Sequence, residues 1–448
     1  AVESISNRIG VNYGRLGNNL LSPYQSIELI KSTKAGRVKL YDANPEILKL
    51  LAGTKIRVAI MVSNQQINEI ASSQDFADKW VIENVHPYYP QTLIRYLLVG
   101  NEVLSYNTRR DREIWYNLVP AMQNIKNSLN KNYIRNIKIG TPFAMDVLET
   151  AFPPSNGTFR SDITKHVILP LLDFLNRTRS YFFIDVYPYF PWSENSRSIS
   201  IDYALFEGNA TYKDTGSGLV YTNLLDQMLD SIYSAMEKLG FPHIRIVISE
   251  TGWPHEGDID QHGANVYNAA TYNRNLVKKM TAEPPSGTPS RPGAAIPTFI
   301  FSLYDENQKR GPGTERHWGL FHPEGTPVYE IDLTGKRDLG DYEKLPLPRN
   351  NDPYRGKIWC VAVRDANVTL LEQALSYACS QGKGTCDALA PGKACYEPVW
   401  LPWHASYAFS SYWSRQRNHG ATCYFGGLAI QTTRDPSRGS CKVPSVTV

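Results

Sequence analysis

Cysteine is missing from the first 359 positions of this 448-residue chain, and several other signals are missing with it. No apolar run approaches the ~20 residues of a membrane-spanning helix, which excludes a helical membrane protein. The net charge is only +4, with no basic stripe interleaved with aromatics, so nucleic acid is not an expected partner. Charged residues make up 20% and apolar residues 42%, a balance that excludes disorder and leaves a soluble globular protein. The chain opens AVESISNRIGVNYG, with neither Met nor a hydrophobic leader, and reads as a mature product whose signal peptide has been removed. Its length suits a large domain plus a small one.

What is present falls into two compositions. Up to about position 310, short β-branched or apolar runs alternate with stretches of helical spacing. The runs are IGVNYG (9–14), RVKLYD (37–42), RVAIMV (57–62), RYLLVGNE (95–102), IKIGTP (137–142), YFFIDVYPYF (181–190), IRIVISETGWP (244–254) and TFIFSLYDENQ (298–308). Near-continuous apolar runs indicate strands covered on both faces, as in a parallel sheet. Between them, NLVPAMQNIKNSLN (117–130) and YTNLLDQMLDSIYSAMEKLG (221–240) have helical periodicity, the second closed by Gly240. Eight strand–helix repeats predict an α/β chain with a (β/α)₈ TIM barrel. An open doubly wound sheet is the rival, but no glycine-rich phosphate fingerprint follows the first run. The catalytic domain is placed at 1–335. A polar, proline-containing linker covers 336–356, and a small disulfide-rich C-terminal domain covers 357–448. All six cysteines (Cys360, Cys379, Cys386, Cys395, Cys423, Cys441) lie in that last segment without paired CxxC knuckles, which favours disulfides over a metal site. N-x-S/T sequons at Asn156, Asn176, Asn209 and Asn367 agree with a protein outside the cytosol, in the secreted or cell-wall space or a vacuole.

The chemistry is expected at the barrel mouth. Most polar punctuation follows the apolar core of each run, and a barrel gathers those positions at its C-terminal face. Glu102 ends the fourth run and Glu250 the seventh, and strands four and seven face each other across the mouth. Two opposed carboxylates suit glycosidic bond cleavage: one stays protonated to serve the leaving oxygen, the other ionised to attack or activate water. A divalent metal is the rival reading, but no histidine cluster accompanies the pair, and His255 and His317 stand alone. Neither a metal nor an organic cofactor is called for. Aromatic rings past the strand ends suit the apolar faces of sugars, so Tyr189, Phe190, Trp192 and Trp253 are candidate substrate contacts, with Asn12, Asn101 and Glu306 as polar neighbours. Phe183 reads as barrel packing; Tyr187, for which packing is also the simpler reading, is kept among the candidate contacts.

VGNEV, ISETGWP, GVNYGRLGNNL and SLYDENQKRGPGTERHWGLF together resemble plant glycoside hydrolase family 17, the endo-β-1,3-glucanases, over residues 8 to 332. The resemblance implies a retaining enzyme on a (β/α)₈ barrel acting on β-1,3-glucan polysaccharide and oligosaccharides, expected as a monomer. It makes Glu102 the general acid/base and Glu250 the nucleophile. It sets Asn101 at the sugar 2-hydroxyl, Tyr41 at the second strand, and Glu306, Lys309 and Glu315 beside the cleft. Tyr304-Asp305 replaces the Phe-Asn of many relatives and is expected to tune a subsite. The family resemblance leaves open transfer to a sugar acceptor, cleavage of mixed β-1,3-1,4-glucan, and a catalytically silent wall protein.

WCVA, ALSYACSQG, GKACYEP and HASYAFSSYW resemble carbohydrate-binding module family 43, or X8, over about 357–443. That resemblance implies β-1,3-glucan binding and the pairs Cys360–Cys423, Cys379–Cys386 and Cys395–Cys441. Tyr407, Phe409 and Tyr412 read as packing. Trp400 and Trp403 read equally as exposed stacking residues or as packing on the barrel.

Overall fold

The computed structural model describes residues 7–448. The opening residues read above as a mature N-terminus lie mostly outside the described residues.

Nine parallel strands form the main sheet: β1 (Ile9–Tyr13), β2 (Arg37–Leu40), β3 (Arg57–Val62), β4 (Leu93–Val99), β5 (Lys138–Gly140), β6 (Pro142–Ala144), β7 (Tyr181–Asp185), β8 (Arg245–Thr251) and β9 (Thr298–Ile300). Their order is β5-β4-β3-β2-β1-β9-β8-β7-β6. The two end strands are separated in the chain by Thr141 alone, so the fifth run of the sequence supplies both. Its first half pairs with β4 and its second half with β7, which brings the sheet round into a nearly closed barrel.

Period-two alternation explains how continuous apolar runs serve two cores. On β3, Val58, Ile60 and Val62 face the surrounding helices, whereas Ala59 and Met61 point into the barrel. Tyr96, Leu98, Phe183, Val247 and Phe299 fill the rest of that interior. Gly140 is required by this filling, since a Cβ there would meet the Phe183 ring at 2.2 Å. The helices start where capping chemistry allows. Arg109–Lys131 begins with Thr108 Oγ1 accepting from the Asp111 amide, and an Asp111 carboxylate oxygen accepts from the Thr108 amide at 2.8 Å. Trp115, Leu118, Met122, Ile125 and Leu129 then recur at helical spacing on its buried side. Leu224–Lys238 starts from the Asn223 cap.

Residues 336–356, read from composition as a linker, are strapped to the barrel. Asn265 Nδ2 donates to Asn350 Oδ1 at 2.7 Å and Asn268 Nδ2 to Asn351 Oδ1 at 2.7 Å. The Tyr342 ring lies under the Arg274 guanidinium at 3.8 Å. Polarity marked this stretch as a tether, but amide side chains hold it by hydrogen bonds that hydropathy does not register.

The C-terminal unit is a small three-stranded antiparallel sheet, with β10 (Lys357–Ala362) between β11 (Ala429–Thr432) and β12 (Val446–Thr447), packed on helices Val368–Ser380 and Leu401–Gln416. Disulfides join Cys360–Cys423, Cys379–Cys386 and Cys395–Cys441. Phe409, stacked on Phe425 at 4.1 Å, belongs to its core, and Tyr407 and Trp403 are buried in a second cluster. Trp400 is 56% exposed. This unit docks on the barrel through named contacts. Arg417 pairs with Asp260, the Gln431 side chain accepts from the Ile259 amide, and Tyr424 donates to the Asn307 carbonyl while its ring lies 3.7 Å from the Arg316 guanidinium.

Candidate active site

β8 carries a bulge that decides where its carboxylate points. Ile248 pairs with Ile184 and Glu250 with Asp185, which leaves Ser249 as an extra residue. Strict alternation from the inward-facing Val247 would turn Glu250 toward the helices; the extra residue brings Glu250 to the cleft side, while Ser249 reaches the cleft residue Asp185. Lys39 on β2 and Tyr41 just past its end share the inward side, because Val38 and Leu40 face the helices. The three side chains meet. Glu250 Oε1 accepts from Lys39 Nζ at 3.1 Å and from the Tyr41 hydroxyl, and Oε2 accepts from the Tyr187 hydroxyl at 2.6 Å. Burial pushes the Glu250 carboxyl up. The Lys39 charge, the hydrogen bonds from Tyr187 and Tyr41, and the charge of Lys309 outweigh it and hold Glu250 below the ordinary carboxylate range. Burial and the adjacent Glu250 charge raise both tyrosine hydroxyls well above their usual value, so they remain donors.

Glu102 follows β4 on a strained backbone, with φ 49° and ψ 37° in the left-handed region that non-glycine residues rarely adopt. Its amide donates to the Pro142 carbonyl at 2.9 Å. The neighbouring Asn101 is clamped by Asn64, whose Oδ1 accepts from the Asn101 amide at 2.7 Å and whose Nδ2 donates to the Asn101 carbonyl. Burial, and then the Glu250 charge, raise Glu102 above the ordinary range despite hydrogen bonding to Asp185 and the charge of Lys39. One oxygen of Glu102, one of Glu250 and one of Asp185 lie within 4.8 Å of one another. Three carboxylates so close form a possible cation cage, but the set has no histidine and the Glu250 oxygens are already engaged by Lys39, Tyr41 and Tyr187. Two opposed carboxyls, one driven toward protonation and one toward ionisation, are equipped for acid-assisted displacement at a carbon.

They sit in a cleft of about 790 Å³. Residues 9–333 match the model of the glycosyl hydrolases family 17, and residues 358–430 match the X8 domain. This chain belongs to glycosyl hydrolase family 17. It is 60% identical over 444 residues to a probable glucan endo-1,3-beta-glucosidase of Arabidopsis thaliana, covering 99% of this chain and 92% of the relative. A glucan endo-1,3-beta-D-glucosidase of Olea europaea is 36% identical, with 98% and 93% covered. Among solved structures, a β-1,3-glucanase and allergen of Cryptomeria japonica pollen matches with TM-score 0.68 and 42% identity, over 73% of this chain and 99% of that one.

The cleft of this family 17 hydrolase is lined by most of the residues read from its sequence. Tyr41, Asn101, Glu102, Tyr187, Phe190, Glu250, Glu306, Lys309 and Glu315 all border it. Lys309 Nζ stands 4.1 Å over the Phe301 ring, between two acids that burial pushes up and its own charge pulls back, Glu306 and Glu315. Glu306 Oε2 accepts from the Leu16 amide at 2.9 Å, an approach that needs Gly14, where a Cβ would lie 2.6 Å from the carboxylate.

Five expectations are corrected. Trp253 is 1% exposed, with its indole donating to the Gly263 carbonyl and its ring packed on Trp192 and Tyr272. Tyr189 is equally buried and donates to the His262 carbonyl, and Trp192 packs beside it. These rings form a wall behind the cleft, because the barrel-mouth rule locates backbone and not side-chain direction. Asn12 is fully buried and offers no hydroxyl contact. Tyr304 and Asp305 do not border the cleft: Tyr304 bonds Ser26, and Asp305 holds His255 at 2.9 Å and the Gly319 amide.

Sequence reasoning missed Lys39, Asp185, Phe301 and Trp318. The signal for Lys39 was a lysine inside an apolar run, two residues before Tyr41 and so on the same face. Trp318, 5.0 Å from the Tyr187 ring and 5.8 Å from that of Phe190, completes an aromatic patch on the cleft wall. The sequons at Asn156, Asn176, Asn209 and Asn367 are all exposed.

Proposed function

We propose that this hydrolase is a secreted endo-β-1,3-glucanase that cleaves by retaining double displacement, with Glu102 as general acid/base and Glu250 as nucleophile. The observation carrying the reading is the opposed pair itself, oxygens within 4.8 Å and driven to opposite protonation states. Retaining enzymes space their carboxyls by about 5–5.5 Å and inverting ones by roughly 6.5–9.5 Å, and the close approach of this pair favours the retaining arrangement. Glu102 protonates the glycosidic oxygen as Glu250 attacks the anomeric carbon; the Glu102 carboxylate then takes a proton from water, which displaces Glu250. Lys39, Tyr41 and Tyr187 keep the nucleophile ionised. Phe190 stacks against a sugar face, backed by the buried ring of Trp318, and Asn101, beside the pair, meets the 2-hydroxyl. β-1,3-Glucan as the substrate is supported by the relatives, both named for that linkage.

Secretion is supported by three disulfides with no free cysteine among the described residues, and by exposed sequons available for glycosylation. No described helix is long and apolar enough to cross a membrane. The X8 unit holds the barrel against insoluble glucan and raises the local concentration of chain ends and loops at the cleft.

Proton NMR during digestion of a linear β-1,3-glucan tests the reading. Early β-anomer with mid-length products is expected. Early α-anomer removes double displacement, products longer than the starting chains replace hydrolysis by transfer, and inertness on this and on mixed-linkage glucan removes the enzyme.

A further inference from the structure

The two-carboxylate mechanism makes no use of Asp185, although that residue lies between the two glutamates. It ends β7, in register with Glu250 on one side and Ala144 on the other, and its side chain is 2% exposed. Oδ1 accepts from Ser249 Oγ at 2.5 Å, so the bulge residue that re-aims Glu250 also anchors Asp185. Oδ2 is buried, and among the described residues no donor reaches it. One carboxylate oxygen each of Glu102 and Glu250 lies within 4.8 Å of an Asp185 oxygen, and once Glu102 has given its proton to the leaving group neither can donate to Asp185. A carboxylate oxygen buried beside two others and lacking a donor is strongly unfavourable; the same oxygen carrying a hydrogen becomes the missing donor.

We propose that Asp185 is a positioning residue that keeps its proton throughout the catalytic cycle and donates it, as a hydrogen bond from Oδ2, to Glu102. The inference rests on Glu102 being the general acid/base. In the first step the Glu102 proton passes to the glycosidic oxygen, the carbon–oxygen bond breaks and Glu250 forms the ester. Glu102 is left as a carboxylate beside two acids, and the Asp185 hydroxyl stabilises it. In the second step water gives its proton to Glu102 and its oxygen to the anomeric carbon, and the ester to Glu250 breaks. The Asp185 proton does not move in either step. Charges around it agree. Lys39 is the cation that acts on Asp185, and its ammonium is already hydrogen-bonded to Glu250. Burial and the Glu250 charge hold the Asp185 carboxyl well above the ordinary range, against Lys39, and Glu102 and its hydrogen bond raise it further. Tyr41 and Tyr187 contribute hydroxyls that stay neutral.

The test compares full-length Asp185→Asn and Asp185→Ala by pH profile on a soluble β-1,3-gluco-oligosaccharide. Asn reproduces the shape and donor of a protonated carboxyl. Its kcat is expected within about threefold of the parent and both limbs of the profile unchanged. Ala removes the donor: kcat is expected to fall about ten- to hundredfold with KM little altered, and the upper limb to move to higher pH, since ionised Glu102 has lost a hydrogen bond. Infrared difference spectra of the parent against Asp185→Asn, which do not depend on the Ala variant folding, are expected to show a carboxylic acid carbonyl band that persists across the working pH range. If Asp185 is ionised, that band is absent and Asn, by deleting a negative charge, moves the upper limb to lower pH; either result overturns the proposal. Equal losses in Asn and Ala overturn it as well. Normal turnover by Glu102→Ala would instead sink the assignment of the general acid, whatever Asp185 does.

Discussion

Replacing Lys39 by Met probes the feature that makes Glu250 a nucleophile. The ammonium lies 3.1 Å from Glu250 Oε1, with the two side chains 0% and 8% exposed, so solvent screens the pair little. Removing one partner of a buried pair costs about 3–5 kcal/mol. At about 1.4 kcal/mol per factor of ten, that corresponds to at most roughly two to four orders of magnitude in the fraction of ionised nucleophile under acidic conditions. Met keeps the length and apolar stem of Lys, so packing is little disturbed. The sign in wild type follows from a depressed carboxyl: Glu250 stabilises the fold above its unfolded pKa, and that contribution is lost as pH falls through the lower folded value. Without Lys39 the effect of burial loses its largest counterweight, so the Glu250 carboxyl rises. Its contribution then becomes greatest below the unfolded pKa and is lost as pH rises through the folded one. The assay is kcat/KM against pH on a soluble oligosaccharide, with melting temperatures at an acidic and a neutral pH. The acidic limb should move toward neutrality, and melting should lose less at acidic than at neutral pH. An unmoved acidic limb would refute the claim that Lys39 sets the ionisation of Glu250.

Other consequences follow from the same geometry. Glu102→Ala should cut kcat on unactivated glucan by about 10²–10⁴-fold, with far less loss on an aryl glycoside whose leaving group needs no proton. The parent profile should be bell-shaped, its acidic limb reporting Glu250 and its upper limb Glu102, since one is depressed and the other raised; a missing upper limb would remove Glu102 as the acid. In the X8 unit, loss of Cys360–Cys423, with a sequence separation of 63, should cost about 4 kcal/mol, against about 2 kcal/mol for Cys379–Cys386, with a separation of 7. Calorimetry of the two paired alanine variants checks that ranking. Trp318→Ala should raise KM more than it lowers kcat on oligosaccharides, because it removes ring surface from the cleft wall and leaves the carboxyls in place.

What the sequence revealed depended on whether a signal concerned backbone position or side-chain direction. Glu102 and Glu250 were legible because strand ends are visible as the close of apolar runs, and a barrel brings those ends together. Trp253, Tyr189 and Trp192 were misjudged because the same rule says nothing of where a ring turns once it leaves the strand. Lys39 was passed over as one polar residue in RVKLYD, although period-two spacing put it beside Tyr41. Asp185 was hidden for the opposite reason: it completes YFFID as an unremarkable strand end, and its meaning comes from the bulge at Ser249, which no local pattern announces. The division of the fifth run at Thr141 was equally silent, since one segment pairing with two different strands reads as a single strand. Composition likewise marked 336–356 as a tether, while the asparagines that bind it to the barrel look the same in a loop that is free.

The central claim is that Glu250 attacks the anomeric carbon, and covalent trapping tests it most directly. Incubation with a 2-fluoro β-1,3-linked disaccharide carrying an activated leaving group slows release of the ester, and peptide mapping by mass spectrometry locates the label. The account predicts one sugar per chain, attached to Glu250, with turnover lost in proportion. A label on Glu102, or rapid processing of the reagent with no adduct and immediate α-anomer, would contradict it.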